Sequence, residues 1–463
     1  MKHEVSLPLR LLLSPALLVC GLLAAGPLGA QTPPTAEPTG AAAGQNLPTD
    51  TPLLVIEKAG RAQVRLAFPK VDADKALVGD FQQAAREIEQ TLREDLAYTG
   101  IFNIQGPAEL AVLSLNGDRQ HDFEQWNSLG NEVVLLATIQ RENDRLTLDG
   151  WVYDLPSRQS VLGKRYRGTP DQARQLAHYL SDALYYQFTG RQGIALTTIA
   201  FQSDRDGGQE LFLMDYDGHN QRRISGHKST SGYSDWSPTG DAIAYMSYFS
   251  GTPGIYYVDL ASGNKVPVYR EGVLNISPSF SPDGQHIAFA SAGPESNIDI
   301  YVCERNCRTP VRLTTSSAID TNPAWSPDGK QIAFTSSRSG KPQIFLMDAD
   351  GQNTRRISFD GEYNEGASWR PDGQQIAYAT RRGNRFDIAV TSLVDLQTRA
   401  LTSGTDASYE EPSFAPDGQR IAFTSRRGKQ SQIFVMNLDG KEWRQLTHDG
   451  NSSSPDWSPY AAK

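Results

Sequence analysis

The chain has 463 residues, 38% hydrophobic and 21% charged, with 40 Gly, 27 Pro and a formal charge of −9. This is a globular composition, and its basic runs (Lys164, Arg165, Arg167; Arg381, Arg382) are too short to supply the cationic field a nucleic-acid partner requires. Three cysteines cannot build a disulfide framework or a four-thiolate zinc site, so the fold must stand on its own core.

Lys2 and Arg10 precede an apolar stretch over residues 11–30, and residues 1–30 read as a signal peptide cleaved near Ala30. Such a stretch is long enough to serve as an uncleaved anchor, but Pro15, Pro27 and the small residues near its end favour cleavage. Bulky Val19 and the apolar residues that follow argue against lipidation of Cys20. The expected product is exported, soluble and monomeric, with no direct membrane insertion after cleavage. Residues 31–50, rich in Ala, Pro, Thr and Gly, read as a flexible linker.

Residues 51–190 read as an α/β domain. A short strand is predicted over 64–68. Asp80 caps a helix whose Phe81, Ala85, Ile88, Leu92 and Leu96 recur at helical spacing until Gly100. Strands follow over 132–139, 145–153 and 160–166. Thr169-Pro170-Asp171 then opens a second helix with Leu176, Leu180, Leu184 and Phe188 on its buried stripe.

The remainder, residues 191–463, is a repeat. Turn prolines at Pro238, Pro282, Pro327, Pro371, Pro416 and Pro459 are spaced 44, 45, 44, 45 and 43 residues apart. Five residues after each of the first five comes Ile-Ala-aromatic, beginning at Ile243, Ile287, Ile332, Ile376 and Ile421, and a sixth copy begins at Ile199. Each unit holds a strand ending in a Pro-Asp-Gly turn, the Ile-Ala-aromatic strand, an alternating strand and a short fourth strand, which is a propeller blade. Six such strands predict an all-β six-bladed propeller. Because the first unit lacks an opening strand and the last has only that strand, the C-terminal strand is expected to close the ring and remove both exposed edges.

Asp217-Gly218, Asp350-Gly351 and Asp439-Gly440 end strands and read as turns rather than calcium loops. The histidines include no HExxH, and Gly232-Tyr233-Ser234-Asp235-Trp236 lacks the second glycine of a nucleophile elbow, so the sequence names no metal ligands, cofactor or catalytic site, and leaves open a cation in the central channel, where the blade starts converge. Cys303 and Cys307 allow either a local hairpin disulfide or two free thiols. Trp236, Phe280, Trp325, Trp369, Phe414 and Trp457 recur once per blade and read as packing between blades. The irregular loops just before them, with Asp320, Asn322, Asn364, Glu365, Glu410 and Glu411, read as a wet binding surface for a protein or peptide.

YTGIFNI (98–104), WNSLG (126–130), the FTG at 188–190, MDYDGHNQRRIS (214–225) and the terminal WSPY (457–460) carry a more specific resemblance. With the order of a small α/β domain and six blades, the chain resembles the TolB family of the periplasmic Tol-Pal envelope system in Gram-negative bacteria, over nearly all of 53–460. The resemblance implies a non-enzymatic periplasmic adaptor supporting outer-membrane constriction at division and envelope integrity. It implies binding of the lipoprotein Pal through the loop face around the channel, with Asn275, Ser277, Thr321, Asn322, Glu365 and Glu410 as candidate contacts. It also implies binding of the inner-membrane protein TolA through the N-terminal segment, here Leu53, Leu54, Val55 and Ile56. Two departures stand out: the Pro/Ala-rich extension before Leu53, and Leu274 where the family has a polar, histidine-type contact residue. The competing classes are an exported propeller hydrolase or lyase with its site at the channel mouth, which would want nucleophile or metal motifs, and a sugar-binding propeller, which would want exposed aromatic platforms.

Overall fold

The computed structural model describes residues 45–46, 63–117, 119–226, 229–293, 296–404 and 406–460. The expected signal peptide, most of the expected linker and the candidate TolA contacts Leu53, Leu54, Val55 and Ile56 lie outside the described residues.

The first body is a seven-stranded sheet carrying two long helices. In chain order its strands are β1 (Gln45–Asn46), β2 (Val64–Ala67), β3 (Asp72–Ala73), β4 (Phe102–Gln105), β5 (Val133–Glu142), β6 (Arg145–Asp154) and β7 (Ser160–Gly168). The helices are α1 (Asp80–Tyr98), α2 (Pro107–Leu110), α3 (Arg119–Ser128) and α4 (Ala173–Thr189). The sheet order β1-β7-β6-β5-β2-β4 puts an antiparallel meander beside parallel pairs. Gln45 and Asn46, inside the stretch expected as a linker, pair with Arg165 and Lys164 of β7. Both long helices arise from the stripes the sequence displays. Ile88, Leu92 and Leu96 of α1 and Leu176, Leu180, Leu184 and Phe188 of α4 are fully or nearly fully buried in one core with β2, β5 and β6. Gly79, not Asp80, occupies the cap position of α1, and the Thr169-Pro170-Asp171 start folds as a 3-10 turn before α4.

The second body consists of six separate four-stranded sheets, the blades. The Ile-Ala-aromatic segment is the second strand of each and is almost wholly buried, with Phe201, Tyr245, Phe289, Phe334, Tyr378 and Phe423 among the largest enclosed side chains. Innermost strands are Ser231–Trp236, Leu274–Phe280, Asp320–Trp325, Tyr363–Trp369 and Ser408–Phe414 for blades 2 to 6. Ser452–Trp457 pairs with Thr198–Ser203 in blade 1, with Trp457 opposite Ile199.

The expected closure of the ring by the C-terminal strand is corrected here. No strand pairing links one blade to the next among the described residues, and each blade keeps two sheet edges. The reason is geometric. Radial blades present faces to their neighbours, so the innermost strand of one never lies edge to edge with the next, and the seams are made by packed side chains and isolated hydrogen bonds, including main-chain ones such as Asn364 N–H to the Pro342 carbonyl at 3.0 Å. Trp236, Phe280, Phe414 and Trp457 are buried in these seams, while Trp325 and Trp369 are half-buried. The Asp-Gly turns belong to the same packing. At Gly218 and Gly351, both left-handed, a Cβ would stand 2.7 and 2.8 Å from the carbonyl oxygens of Leu446 and Leu313 in the preceding blades. Cys303 and Cys307 form a disulfide with their Cα atoms 5.3 Å apart.

Candidate functional site

Two places concentrate unusual chemistry, one at each end of the propeller. The first is the channel. In every innermost strand the register slips once, between Gly232 and Asp235, Ile276 and Ser279, Thr321 and Ala324, Glu365 and Ser368, Glu410 and Ser413, and Ser453 and Asp456. Within each slip one residue is left-handed: Tyr233, Ser277, Asn322, Gly366, Glu411 or Ser454. Five of these six are not glycine, so each stores backbone strain, and bulges of this kind re-aim side chains. All six line a central cavity of about 480 Å³.

The cavity wall carries Asp235, Glu365, Glu410, Glu411 and Asp456 and no Lys or Arg. Burial pushes Glu365 and Glu410 above the usual carboxylate range. Burial also lifts Asp235 to about 7 and Asp456 well up, the latter with help from Asp235. These two acids are structural acceptors. Asp235 Oδ2 accepts the Phe280 N–H at 2.6 Å and Asp456 Oδ2 accepts the Trp236 N–H at 3.1 Å, each across a seam between blades. Ser368 and Ser413 do the same for the N–H groups of Phe414 and Trp457, at 3.1 and 2.9 Å.

Of the residues named from sequence, Ser277, Asn322, Glu365 and Glu410 line the cavity, and Asn322 Nδ2 donates to Ser277 Oγ at 3.3 Å. Thr321 is half-buried beside them. Asn275 is fully buried beneath the rim, donating to the carbonyls of Pro253 and Glu271 at 3.1 and 2.9 Å. Glu411, read from sequence as part of the binding surface, also lines the cavity, whereas Tyr233, Gly366 and Ser454 were missed, although they occupy the same repeat position as Ser277, Asn322 and Glu411. Around the mouth, Tyr248, Phe249, Val273, Ile319 and Phe359 are exposed on connections that leave the sheets at this one end. Such an arc of apolar residues is the ordinary mark of a protein-binding surface.

At the other end the Pro-Asp-Gly turn of blade 6 and the Asp217 turn of blade 1 meet the α/β domain. Arg420, nearly buried, donates to the Tyr98 carbonyl at 2.7 Å and its guanidinium lies 4.5 Å from the Tyr98 ring centre. Tyr216 O–H donates to Asp95 Oδ1 at 2.7 Å, while His178 Nδ1 lies 2.7 Å from Asp95 Oδ2. Arg174 pairs with Asp217 and donates to Thr91 Oγ1 at 3.0 Å. Asp95, His178 and Asp217 place nitrogen and carboxylate oxygen atoms within 4.8 Å of one another. Both oxygens of Asp95 are taken by Tyr216 and His178, and those of Asp217 by Arg174 and His219, so the cluster is an ion-paired joint between domains. Burial opposes a charged His178, but the hydrogen bond and charge of Asp95 outweigh it and hold its imidazole above the ordinary value. Next to it, burial lifts Asp182 to about 7 although it accepts the Ala195 N–H at 3.0 Å.

The pH dependence of this joint has a definite sign. The folded value of Asp182 lies above its free value, so its stabilising contribution is complete below ~4 and disappears as pH rises toward 7. His178, also raised, contributes below its free value of ~6.5 and loses that contribution as pH climbs through the raised one. Asp217, held low by His219 and Arg174 against burial, acts only in more acidic solution. The melting temperature is therefore expected to fall between about pH 5 and 8, and Asp182→Asn, which stays neutral, should flatten that fall by roughly 3 kcal/mol. Parallel melting profiles for the two proteins would contradict the assignment.

The fold and these two ends define a two-domain β-propeller scaffold with an open channel face. Residues 185–461 match the profile described as "TolB beta propeller domain", and residues 52–161 match "TolB amino-terminal domain". The chain is 33% identical over 300 residues to the TolB homolog of Chlorobium luteolum, covering 65% of this chain and 67% of that one. It is 30% identical over 272 residues to that of Chlorobium chlorochromatii, covering 58% and 60%. The matched stretches thus leave a third or more of these relatives unspanned. The crystal structure of TolB from Acinetobacter baumannii superposes with a TM-score of 0.74 at 26% identity, covering 86% of this chain and 97% of that one. The chain belongs to the TolB family, periplasmic β-propeller proteins of the Tol-Pal system. Members of the family generally interact with Pal and TolA, and the kinship supports a periplasmic, non-catalytic scaffold.

Proposed function

We propose that this protein is a non-enzymatic, monomeric adaptor that binds Pal through the channel face of its propeller and TolA through the segment around Leu53, Leu54, Val55 and Ile56. In that role it supports outer-membrane constriction at division and envelope integrity, with residues 31–50 as linker, 51–190 as the α/β domain and 191–463 as the propeller. The observation that supports the reading is the asymmetry of the propeller: the α/β domain docks at the Pro-Asp-Gly end, on blades 1 and 6, while the other end keeps an apolar arc around a ring of strained, bulged residues. Main-chain hydrogen bonds added to a partner's sheet would serve the apolar run at 53–56.

The test has two arms. Thr321→Arg with Glu365→Arg should weaken Pal binding at least ~tenfold in calorimetry while the melting curve stays within the small range usual for surface changes. Removing residues 31–58, or replacing Val55 and Ile56 with Asp, should abolish TolA binding in a fluorescence-anisotropy titration and leave Pal binding intact. Unaltered Pal affinity moves the propeller site elsewhere, and equal TolA binding by intact and shortened chains removes the N-terminal role.

A further inference from the structure

Blades 5 and 6 differ from the others in height. Their second and third strands each run eight residues, Gln375–Arg382 with Arg385–Ser392 and Arg420–Arg427 with Gln430–Asn437, against six or seven elsewhere. Their ladders continue to Arg382 opposite Arg385 and Arg427 opposite Gln430, closed by two-residue turns with left-handed Gly383 and Gly428. The connection from second to third strand leaves the blade at the channel-face end, so both hairpins rise above that face side by side.

Their tips are cationic: Arg381, Arg382, Arg385, Arg426, Arg427 and Lys429. Arg426 and Arg427 have long, exposed pairings with Glu410 and Asp406, at 3.5 and 3.8 Å. Arg382, Arg385 and Lys429 have no ion pair among the described residues, and the nearby carboxylate of Asp387 accepts from Thr402 at 3.0 Å. Two like charges set directly opposite on a ladder destabilise a hairpin. Solubility does not call for them either, because in a chain of net charge −9 they reduce the total.

We propose that these two hairpins form a cationic docking edge for an acidic stretch on the protein that binds the channel face, an inference that rests on reading that face as the Pal site. The face then has three zones: the apolar arc on blades 2 to 5, the acidic cavity at the centre and the cationic edge on blades 5 and 6. A partner matching it carries an apolar contact with carboxylates on one flank only. An anionic membrane or polymer fits less well, because its continuous negative charge would also meet the acidic cavity. Charges at such an edge act chiefly on the rate of association and on its response to salt.

The test is stopped-flow association of the full chain with the soluble domain of Pal from about 50 to about 300 mM salt. Arg382→Glu with Arg427→Glu is expected to slow association at low salt at least ~tenfold and to flatten its salt dependence, with dissociation little changed. Arg382→Lys with Arg427→Lys should keep the wild-type behaviour. Pal associating with the Glu variant at the wild-type rate and salt slope overturns the inference alone. Pal failing to bind even the wild-type chain overturns the Pal reading and this inference with it. Loss of binding to phosphatidylglycerol–phosphatidylethanolamine vesicles by the Glu variant, with Pal association unchanged, assigns the tips to a membrane and likewise overturns it.

Discussion

Deleting the residues after Gly450 is expected to destabilise the protein by at least ~3 kcal/mol, the cost typical of losing a buried aromatic alone. The deletion strips the partner from Thr198–Ser203 and removes Trp457, which packs with Ile199, Phe201, Ala422 and Ile433 where blades 1 and 6 meet. It also takes away both acceptors that Asp456 offers Trp236, the carboxylate to its main-chain N–H and the carbonyl to its indole Nε1 at 3.0 Å. Urea unfolding of the shortened chain measures the loss, and an unchanged midpoint would show that blade 1 does not depend on its innermost strand.

A second large effect is expected at the joint between domains. Arg174→Ala leaves Asp217 buried with its main countercharge gone, and breaking a buried pair in this way costs ~3–5 kcal/mol. The companion change Asp217→Asn removes the orphaned charge, so the double variant should be less destabilised than the sum of the two singles. Chemical denaturation of all four proteins gives the coupling directly. Additive losses would mean that the pair contributes nothing beyond its separate packing.

The sequence displayed the architecture well because a repeat multiplies its evidence. One Ile-Ala-aromatic strand proves little, but six at a period near 44 residues leave few folds. The α1 and α4 stripes were visible for the same reason, since a long amphipathic period averages over local exceptions. The four-residue strand Phe102–Gln105 and the helices α2 and α3 were not seen, being too short or too polar to show a period. The ring of bulges was half visible: Ser277, Asn322 and Glu411 were picked as loop polars, and shifting by one period from them reaches Tyr233, Gly366 and Ser454. The joint of Asp95, His178 and Asp217 was out of reach, because its members lie on α1, α4 and a blade turn and meet only after both domains have folded. The closing of the ring by its last strand was over-read, since pairing within a blade says nothing about pairing between blades.

The side-chain pins at the seams make the propeller a barrel of staves without a hoop. Every strand-to-strand ladder runs outward along a blade, so resistance to circumferential stretching comes from isolated contacts reaching one neighbour, some of them main-chain bonds such as Ser231 N–H to the Gln209 carbonyl at 2.8 Å and Asp320 N–H to that of Ile298 at 2.9 Å, the rest side chains. Asp235, Ser368, Ser413 and Asp456 supply such a pin to the next blade's main chain. At the matching place in blade 4 stands Ala324, which offers only its carbonyl, to the Trp369 indole at 3.0 Å. That seam is held instead by Asn364, whose N–H donates to the Pro342 carbonyl at 3.0 Å and whose Nδ2 donates to Gln343 Oε1 at 2.7 Å, so tension across the channel is shared among single contacts that differ in kind from seam to seam.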